Sequence, residues 1–466
     1  MPHHPHRRDA LKLLAAGVST ALIHPLAAAE PPAFSLASFS VDVTPPIGHP
    51  CMGGGVAPVK HVEDPLFADG FVLLGAGKPL VWLSVDWCEI RNDAYSRWRE
   101  AIAEAAGTEP GRVLLTSVHQ HDAPIADLHA QRLLEQHQAA GAICDLEFHE
   151  RTVQRVAKEV RRALASPQRI THLGLGQARV EKVASNRRYL ADDGTPRYNR
   201  MSATRDPQIR DKPEGTIDPW LKTVSFWDGD TPLVALNSYA THPMSYYGRG
   251  GVTSDFVGLA RKRRQADLPK VQQIYSSGCS GNVTAGKYND GSPNNRPVLT
   301  ERMYQAMTAA WEKTQRQPLT EIQFRSVPLR LEPRDDAGFR VKELQQRLKS
   351  DTKPFGQCLA ALGLSWRQRA DAGHQLDVPV IDFGNAQLLL LPAEAYVEYQ
   401  LLAQQQRPDS FVLTAGYGEC APGYIPIERA WKERDGNLRD WSWVAQGSEA
   451  AMTKAIQAAL GKGEGT

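Results

Sequence analysis

Hydrophobic residues recur along the chain with two periods, and the switches between them predict alternating strands and helices. Residues 70–87 hold two Val- and Leu-rich runs around Ala76-Gly77-Lys78-Pro79, which predicts a hairpin that carries Asp86 to a strand end. The apolar spacing over 92–106 is helical, with Asn92 as its N-cap and Gly107 as its stop. Residues 113–122 read as a buried strand ending in His119 and His121, and 125–165 as broken helix. An extended segment follows at 180–187, then a second hairpin at 222–239 that turns on Asp228-Gly229-Asp230. Asp255 opens a helix to 265; 271–276 and 324–331 are strands, and 300–314 and the charged stretch 335–372 are helical. A hairpin around Gly384-Asn385 leads to Glu394 and a helix ending near 404. The remaining long segments, 190–220 and 278–290, carry the Gly, Pro, Asp, Ser and Asn of loops. With no internal repeat, low-complexity tract or linker, the pattern predicts one large α/β domain of mixed β-sheets flanked by helices, over residues 30–466.

Three of the predicted strands run into a residue able to bind metal. Side chains two apart on an extended segment share a face, so His119 and His121 are expected to converge. The strands leading to His242 and Glu394 repeat the arrangement, and ligands at the ends of neighbouring strands would cluster at a sheet edge. His119, His242, Glu394 and Tyr424 together offer the three or four N/O donors of a catalytic Zn2+ site. His121 is placed to orient water, shuttle a proton or join that set.

Composition narrows the classes of function. The chain has 466 residues, 42% of them hydrophobic and 23% charged, with a net charge of +2, so no surface for nucleic acid is expected and the expected partner is a small-molecule substrate. Residues 1–29 have the form of a twin-arginine signal: Arg7-Arg8, an apolar run, then Ala27-Ala28-Ala29 with cleavage before Glu30. The mature chain is therefore expected in the periplasm or secreted, and no later apolar run reaches the roughly 20 residues of a membrane span. The six cysteines are widely spaced; in an oxidising compartment they form one or two disulfides or remain buried thiols. The sequence carries no sign of oligomeric state.

Seven motifs in order give a further expectation: Asp42-Val43-Thr44-Pro45-Pro46, Thr116-Ser117-Val118-His119-Gln120-His121, Ala240-Thr241-His242, Ser254-Asp255, Gly281-Asn282-Val283-Thr284, Pro392-Ala393-Glu394 and Gly423-Tyr424. From about Phe39 to about Trp431 the chain resembles the neutral/alkaline ceramidases and their shorter bacterial relatives. The resemblance implies the ceramidase catalytic-domain fold and a zinc held by His119, His242, Glu394 and Tyr424. It implies hydrolysis of an N-acyl amide, with His121 moving protons and Tyr424 and Arg187 stabilising the oxyanion. Thr284 stands where the family has a serine, and positions substrate or water, acts as a nucleophile, or merely bonds a loop backbone. Asp255 either orients a ligand histidine or caps its helix.

The chain also departs from that family. Asp122 and Ala123 replace a serine and a glycine, Trp431 stands in place of a second tyrosine, and the sequence ends at Thr466 without room for an immunoglobulin-like domain. The segment 191–220 carries Asp192, Asp193, Arg197, Arg200, Arg205, Asp206 and Arg210; as a rim of the site it would favour a substrate more polar than long-chain ceramide. The competing readings are a metal-dependent glycoside or ester hydrolase and a non-catalytic periplasmic binding protein.

Overall fold

The computed structural model describes residues 34–461; the expected signal segment lies outside them. Within them the strands assemble into three main sheets. In the first, Val113–Ser117 pairs with Leu80–Val85, followed by Phe67–Leu74, Phe34–Asp42 and Gln168–Ile170. The second runs Gln272–Ser277, Thr231–Tyr239, Trp220–Asp228, His172–Arg179 and Gln315–Pro318, and the third Gln323–Leu329, Leu376–Asp382, Ala386–Leu390 and Phe411–Ala415.

All three sheets end in a parallel pair, whose crossover includes a helix: Leu80–Val85 with Val113–Ser117, Thr231–Tyr239 with Gln272–Ser277, and Ala386–Leu390 with Phe411–Ala415. These edges abut one another. Ser117 N donates to Tyr417 O at 2.9 Å, Gly416 N to Ser277 O at 2.8 Å, and Ser277 Oγ to Val118 O at 2.7 Å. The carboxyl ends of strands from three sheets are thereby brought to one place.

The hydrophobic pattern explains the packing. Along Leu80–Val85, Leu80 and Trp82 enter a core shared by the three sheets, with Phe226 and Leu236 from the second and Leu388 and Leu390 from the third. The alternate residues Val81, Leu83 and Val85 enter a second core under the helices. A strand covered on both faces reads as a continuous apolar run, which is why periodicity located it well. The helix Asn92–Ala106 buries Trp98 and Ile102 and stops at Gly107, whose φ of 67° suits a residue without Cβ.

Several expectations are corrected. Asn92 does not cap its helix: Arg91 holds the N-cap position, while the Asn92 amide is buried and donates to Asp127 at 2.7 Å and Ser365 at 3.0 Å. The loop expected at 190–220 contains short elements at Pro196–Arg197 and Pro207–Asp211, tied together by Arg200, which donates to the carbonyls of Asn186, Pro213 and Glu214. All six cysteines are buried free thiols. No helix among the described residues is long and apolar enough to cross a membrane.

A pH effect on stability follows from His149. Its ring is 1% exposed against Trp87 and Trp98, and neither ring nitrogen has a hydrogen-bond partner. Burial lowers its pKa from 6.5 to about 4, although Glu150 and Asp93 oppose the shift. The unfolded chain therefore takes up the proton first, so stability is lost as pH falls below 6.5, and the loss is complete below about 4. The full contribution is roughly 3 kcal/mol. His149→Phe should flatten the difference in denaturant midpoint between pH 7 and pH 4; an unchanged pH dependence in that variant would rule this histidine out as the source.

Candidate metal centre

The loops beyond the three parallel edges deliver the predicted side chains. His119 and His121 follow Val113–Ser117, His242 follows Thr231–Tyr239, and Glu394 follows Ala386–Leu390. The strands belong to different sheets, so the expectation of neighbouring strands in one sheet is corrected. The reason given for the convergence of His119 and His121 is corrected too. The strand ends at Ser117, and His119 has φ 77°, a left-handed turn held by His119 N donating to Trp87 O at 2.9 Å. The turn nevertheless brings the two rings to 5.2 Å between centroids, and His242 lies 4.9 Å from His119.

Hydrogen bonding orients both His119 and His242. His119 Nδ1 lies 2.9 Å from Cys88 O and His242 Nδ1 lies 2.6 Å from Ser280 O, so each ring directs its Nδ1–H to a carbonyl and turns Nε2 inward. His119 is also stacked on Tyr417 at 4.3 Å, whose hydroxyl lies 2.7 Å from Ser280 Oγ. The Glu394 carboxylate enters between the two Nε2 atoms: Oε2 is 3.2 Å from that of His119 and 3.0 Å from that of His242. Gly281 lets the opposite loop approach, since a Cβ there would collide with the Glu394 carbonyl oxygen.

This arrangement fits a cation. With both Nδ1 hydrogens committed, two Nε2 atoms and a carboxylate oxygen converge; Arg187 Nη2, 3.2 Å from His242 Nε2, relieves part of their repulsion, and an added proton or a metal ion would relieve the rest. Donors about 2.0–2.2 Å from a tetrahedral zinc stand about 3.4 Å apart, close to the separations found. Glu394 Oε1 and His121 Nδ1 are buried without partners, so further donor capacity remains. Among the described residues, two groups of side chains could hold a metal, His119 with His121 and His242, and Glu89 with His119 and Glu394, and the predicted set draws on both.

The electrostatics of His242 and His121 agree with that donor set, while those of His119 and Glu394 describe a proton held where a cation would sit. Burial, with Arg187 beside it, lowers His242 to about 4, and burial with the neighbouring His119 and His242 holds His121 well below its usual value. Both rings are thus neutral, and each keeps one unprotonated nitrogen. Burial opposes a charge on Glu394 as well, but the two histidines outweigh it and keep the group ionised. His119 is also penalised by burial, yet Glu394 raises its pKa.

Tyr424 lies on a short strand paired in register with Glu394, and its ring is 6.3 Å from that of His242. Arg187, 2% exposed, donates from Nη1 to the Tyr424 hydroxyl at 2.8 Å and from Nη2 to His242 Nε2 at 3.2 Å. The Tyr424 oxygen is therefore an acceptor toward Arg187, and its own hydrogen is left for another group.

His119, His121, Arg187, Glu394 and Tyr424 line one cavity of about 320 Å³, whose other walls include Met52, Met201, Met244, Tyr247 and Trp441. Thr284 is not among its lining residues. Its hydroxyl donates to Met201 O at 3.2 Å and accepts from Gly286 N at 3.2 Å, so the structure puts it to work in the loop backbone and does not bring it to the cavity. Asp255 accepts from Ser245 and Phe256 and pairs with Arg296, with no contact to a ligand histidine. Asp122 accepts from Gly248 N at 2.7 Å and serves a neighbouring loop. Trp431 does not line the cavity, whereas Trp441 does.

The segment 191–220 reaches the cavity through other residues than its charged ones. None of the seven charged residues singled out in 191–220 lines the cavity; that segment contributes Met201, Ser202 and Ala203. Glu89, which pattern reading passed over, is fully buried, receives Arg91 Nη1 at 2.7 Å, and has Oε1 4.0 Å from His119 Nδ1. Its signal was an acid in an otherwise apolar stretch after the strand to Val85, the kind of residue that is buried only when paired.

No family model matches the chain, and no curated protein does. Solved structures share its fold. A ceramidase complexed with C2 aligns at 16% identity with a TM-score of 0.65, over 92% of this chain and 75% of that one. The neutral ceramidase of Pseudomonas aeruginosa aligns at 16% identity with a TM-score of 0.64, over 92% of this chain and 74% of that one. The architecture of three sheets flanked by helices is thus that of the ceramidases.

Proposed function

We propose that the protein is a zinc-dependent hydrolase of N-acyl amides. The observation that carries the reading is Glu394 Oε2 between two histidine Nε2 atoms at 3.2 and 3.0 Å, with both Nδ1 hydrogens turned away to carbonyls. The ceramidase-like fold supports an amide as the bond cleaved. His119, His242 and Glu394 would hold the ion, with His121 or Tyr424 completing the set. Bound there, zinc supplies Lewis acidity toward a carbonyl and toward water. His121, neutral and with Nδ1 unpartnered, is placed to take a proton and return it to the leaving amine. Arg187 holds the Tyr424 oxygen so that the hydroxyl hydrogen can donate to the developing oxyanion.

The cavity supports a short acyl group. Its volume is near the lower end of the roughly 300–1,000 Å³ usual for small-molecule sites, and its methionine and tryptophan walls suit an alkyl chain. Long-chain ceramide would need room for two tails. The test is kcat/KM across N-acyl amides from acetyl to palmitoyl, alongside chromogenic esters and glycosides. The reading expects a maximum at short amides; faster turnover of esters or glycosides than of every amide would overturn it.

Tyr424→Phe should lower kcat by about 10²–10³, the usual loss for one oxyanion donor. Retained zinc with reduced kcat assigns the hydroxyl to substrate, loss of zinc assigns it to the ligand set, and an unchanged kcat removes it from the chemistry. We also propose export through the Arg7-Arg8 signal. Changing both to lysine should retain the precursor in the cytoplasm, and normal periplasmic recovery on fractionation would refute it.

A further inference from the structure

A second concavity, of about 350 Å³, is lined by Arg205, Arg210 and Arg249 with Asp290, Gly291 and Ser292. Its lining holds three arginines and one carboxylate, Asp290, whose Oδ1 accepts from Ser292 N at 2.9 Å and from Asn295 Nδ2 at 2.5 Å. Arg210 commits its Nε to Lys287 O at 3.2 Å, while the guanidinium of Arg249 lies over the Tyr246 ring at 5.2 Å. The helix Asn295–Glu312 begins at the same place, and the positive end of its dipole adds to the field. Guanidinium forks gathered in a concave, solvent-reached site are matched to a planar or tetrahedral oxyanion.

The concavity shares no lining residue with the catalytic cavity, but the walls of the two meet at Gly291 and Ala203. Met201, Ser202, Ala203 and Tyr247 line the cavity, and Arg205 and Arg249 lie only two residues beyond Ala203 and Tyr247, at most about 7 Å of chain. Gly291 closes the join, packed so that a Cβ on it would come within 3.0 Å of the Ala203 Cβ.

We propose that Arg205, Arg210 and Arg249 form an anion subsite of the catalytic cavity, which selects amides that carry a short acyl chain and a carboxylate or similar oxyanion, as an N-acyl amino acid does. This rests on the amide-hydrolase reading and specifies its substrate class. The apolar walls receive the acyl chain while the arginines hold the charged end, so the scissile carbonyl is fixed between two anchors.

The test compares hexanoylglycine with hexanoylglycinamide, which differ in the negative charge. In the unaltered protein kcat/KM should favour the anionic amide at least tenfold, and the Arg205→Ala/Arg249→Ala double variant should reduce that ratio at least tenfold. Lysine at both positions should keep part of the preference, since the charge remains without the fork. A ratio at or below one in the unaltered protein, or the same ratio in the double variant, overturns the proposal and leaves the amide-hydrolase reading in place. If neither amide is hydrolysed, that reading fails and equilibrium titration with hexanoylglycine decides the subsite: binding at least tenfold weaker in the double variant supports it, and equal affinity overturns it. Inorganic phosphate separates substrate from free ion. Competition against hexanoylglycine supports the subsite, whereas activation of hexanoylglycinamide turnover would assign the arginines to a separate effector and overturn it.

Discussion

Replacing His119 or His242 with alanine is expected to remove tight zinc binding and to lower kcat/KM on an N-acyl amide at least about a thousandfold, since Lewis-acid stabilisation is worth several kcal/mol. Each side chain is oriented before any ion arrives, by the Cys88 carbonyl for His119 and the Ser280 carbonyl for His242. Alanine at either position therefore deletes a donor that is oriented in advance. Elemental analysis should give about one zinc per unaltered chain and far less in both variants. Thermal unfolding gives a second readout. Zinc at a hundred times its dissociation constant stabilises a native site by about 2.7 kcal/mol, so the unaltered protein should show a raised Tm and the variants none. Full zinc content in both variants would exclude this ligand set, whatever happened to activity.

Arg261→Ala is expected to destabilise the fold by about 3–5 kcal/mol, the usual cost of leaving a buried charge without its partner. Arg261 lies on the helix Asp255–Asp267 and is 3% exposed. It grips both Asp86 oxygens, Nη1 at 2.8 Å and Nη2 at 2.6 Å, and reaches Asp69 at 3.2 Å, so it ties that helix to the first sheet. Asp69 already has its pKa raised, by burial first and then by Asp86, against the opposing pull of Arg261. Without the guanidinium two buried carboxylates would face each other. The loss should appear as a lower urea midpoint and should shrink when Arg261→Met is combined with Asp69→Asn and Asp86→Asn, which removes the charges together. A single variant as stable as the unaltered protein would mean that solvent reaches this cluster.

Asp86 illustrates how far sequence reading went. Its delivery to a strand end was legible, because the apolar hairpin before it has unmistakable period and turn chemistry. Its partner was not: Arg261 is 175 residues away, and nothing local couples an aspartate in a hairpin to an arginine in a later helix. Glu89 was missed for the same reason, since its burial is permitted by Arg91, Cys420 and Trp441 meeting around it.

By itself the sequence determined the elements and the chemical vocabulary of the site. Strands buried on both faces read as unbroken apolar runs, and Gly107 and Gly384 marked a helix stop and a hairpin turn because positive φ excludes most other residues there. The histidines and the glutamate stood out because each follows such a run, and Tyr424 because of the motif Gly423-Tyr424. Tertiary structure decided the rest. Three separate sheets, and no single one, bring their parallel edges together, and the bonds among Ser117, Tyr417, Ser277 and Gly416 that join those edges are made between residues 139 or more positions apart or across different sheets. The same long-range packing tied Thr284 into a loop, kept the charged residues of 191–220 off the cavity's own walls and put Met201 there. Local periodicity reports which face of a segment is buried; what that face meets depends on contacts between distant parts of the chain, and those carry no periodic signature.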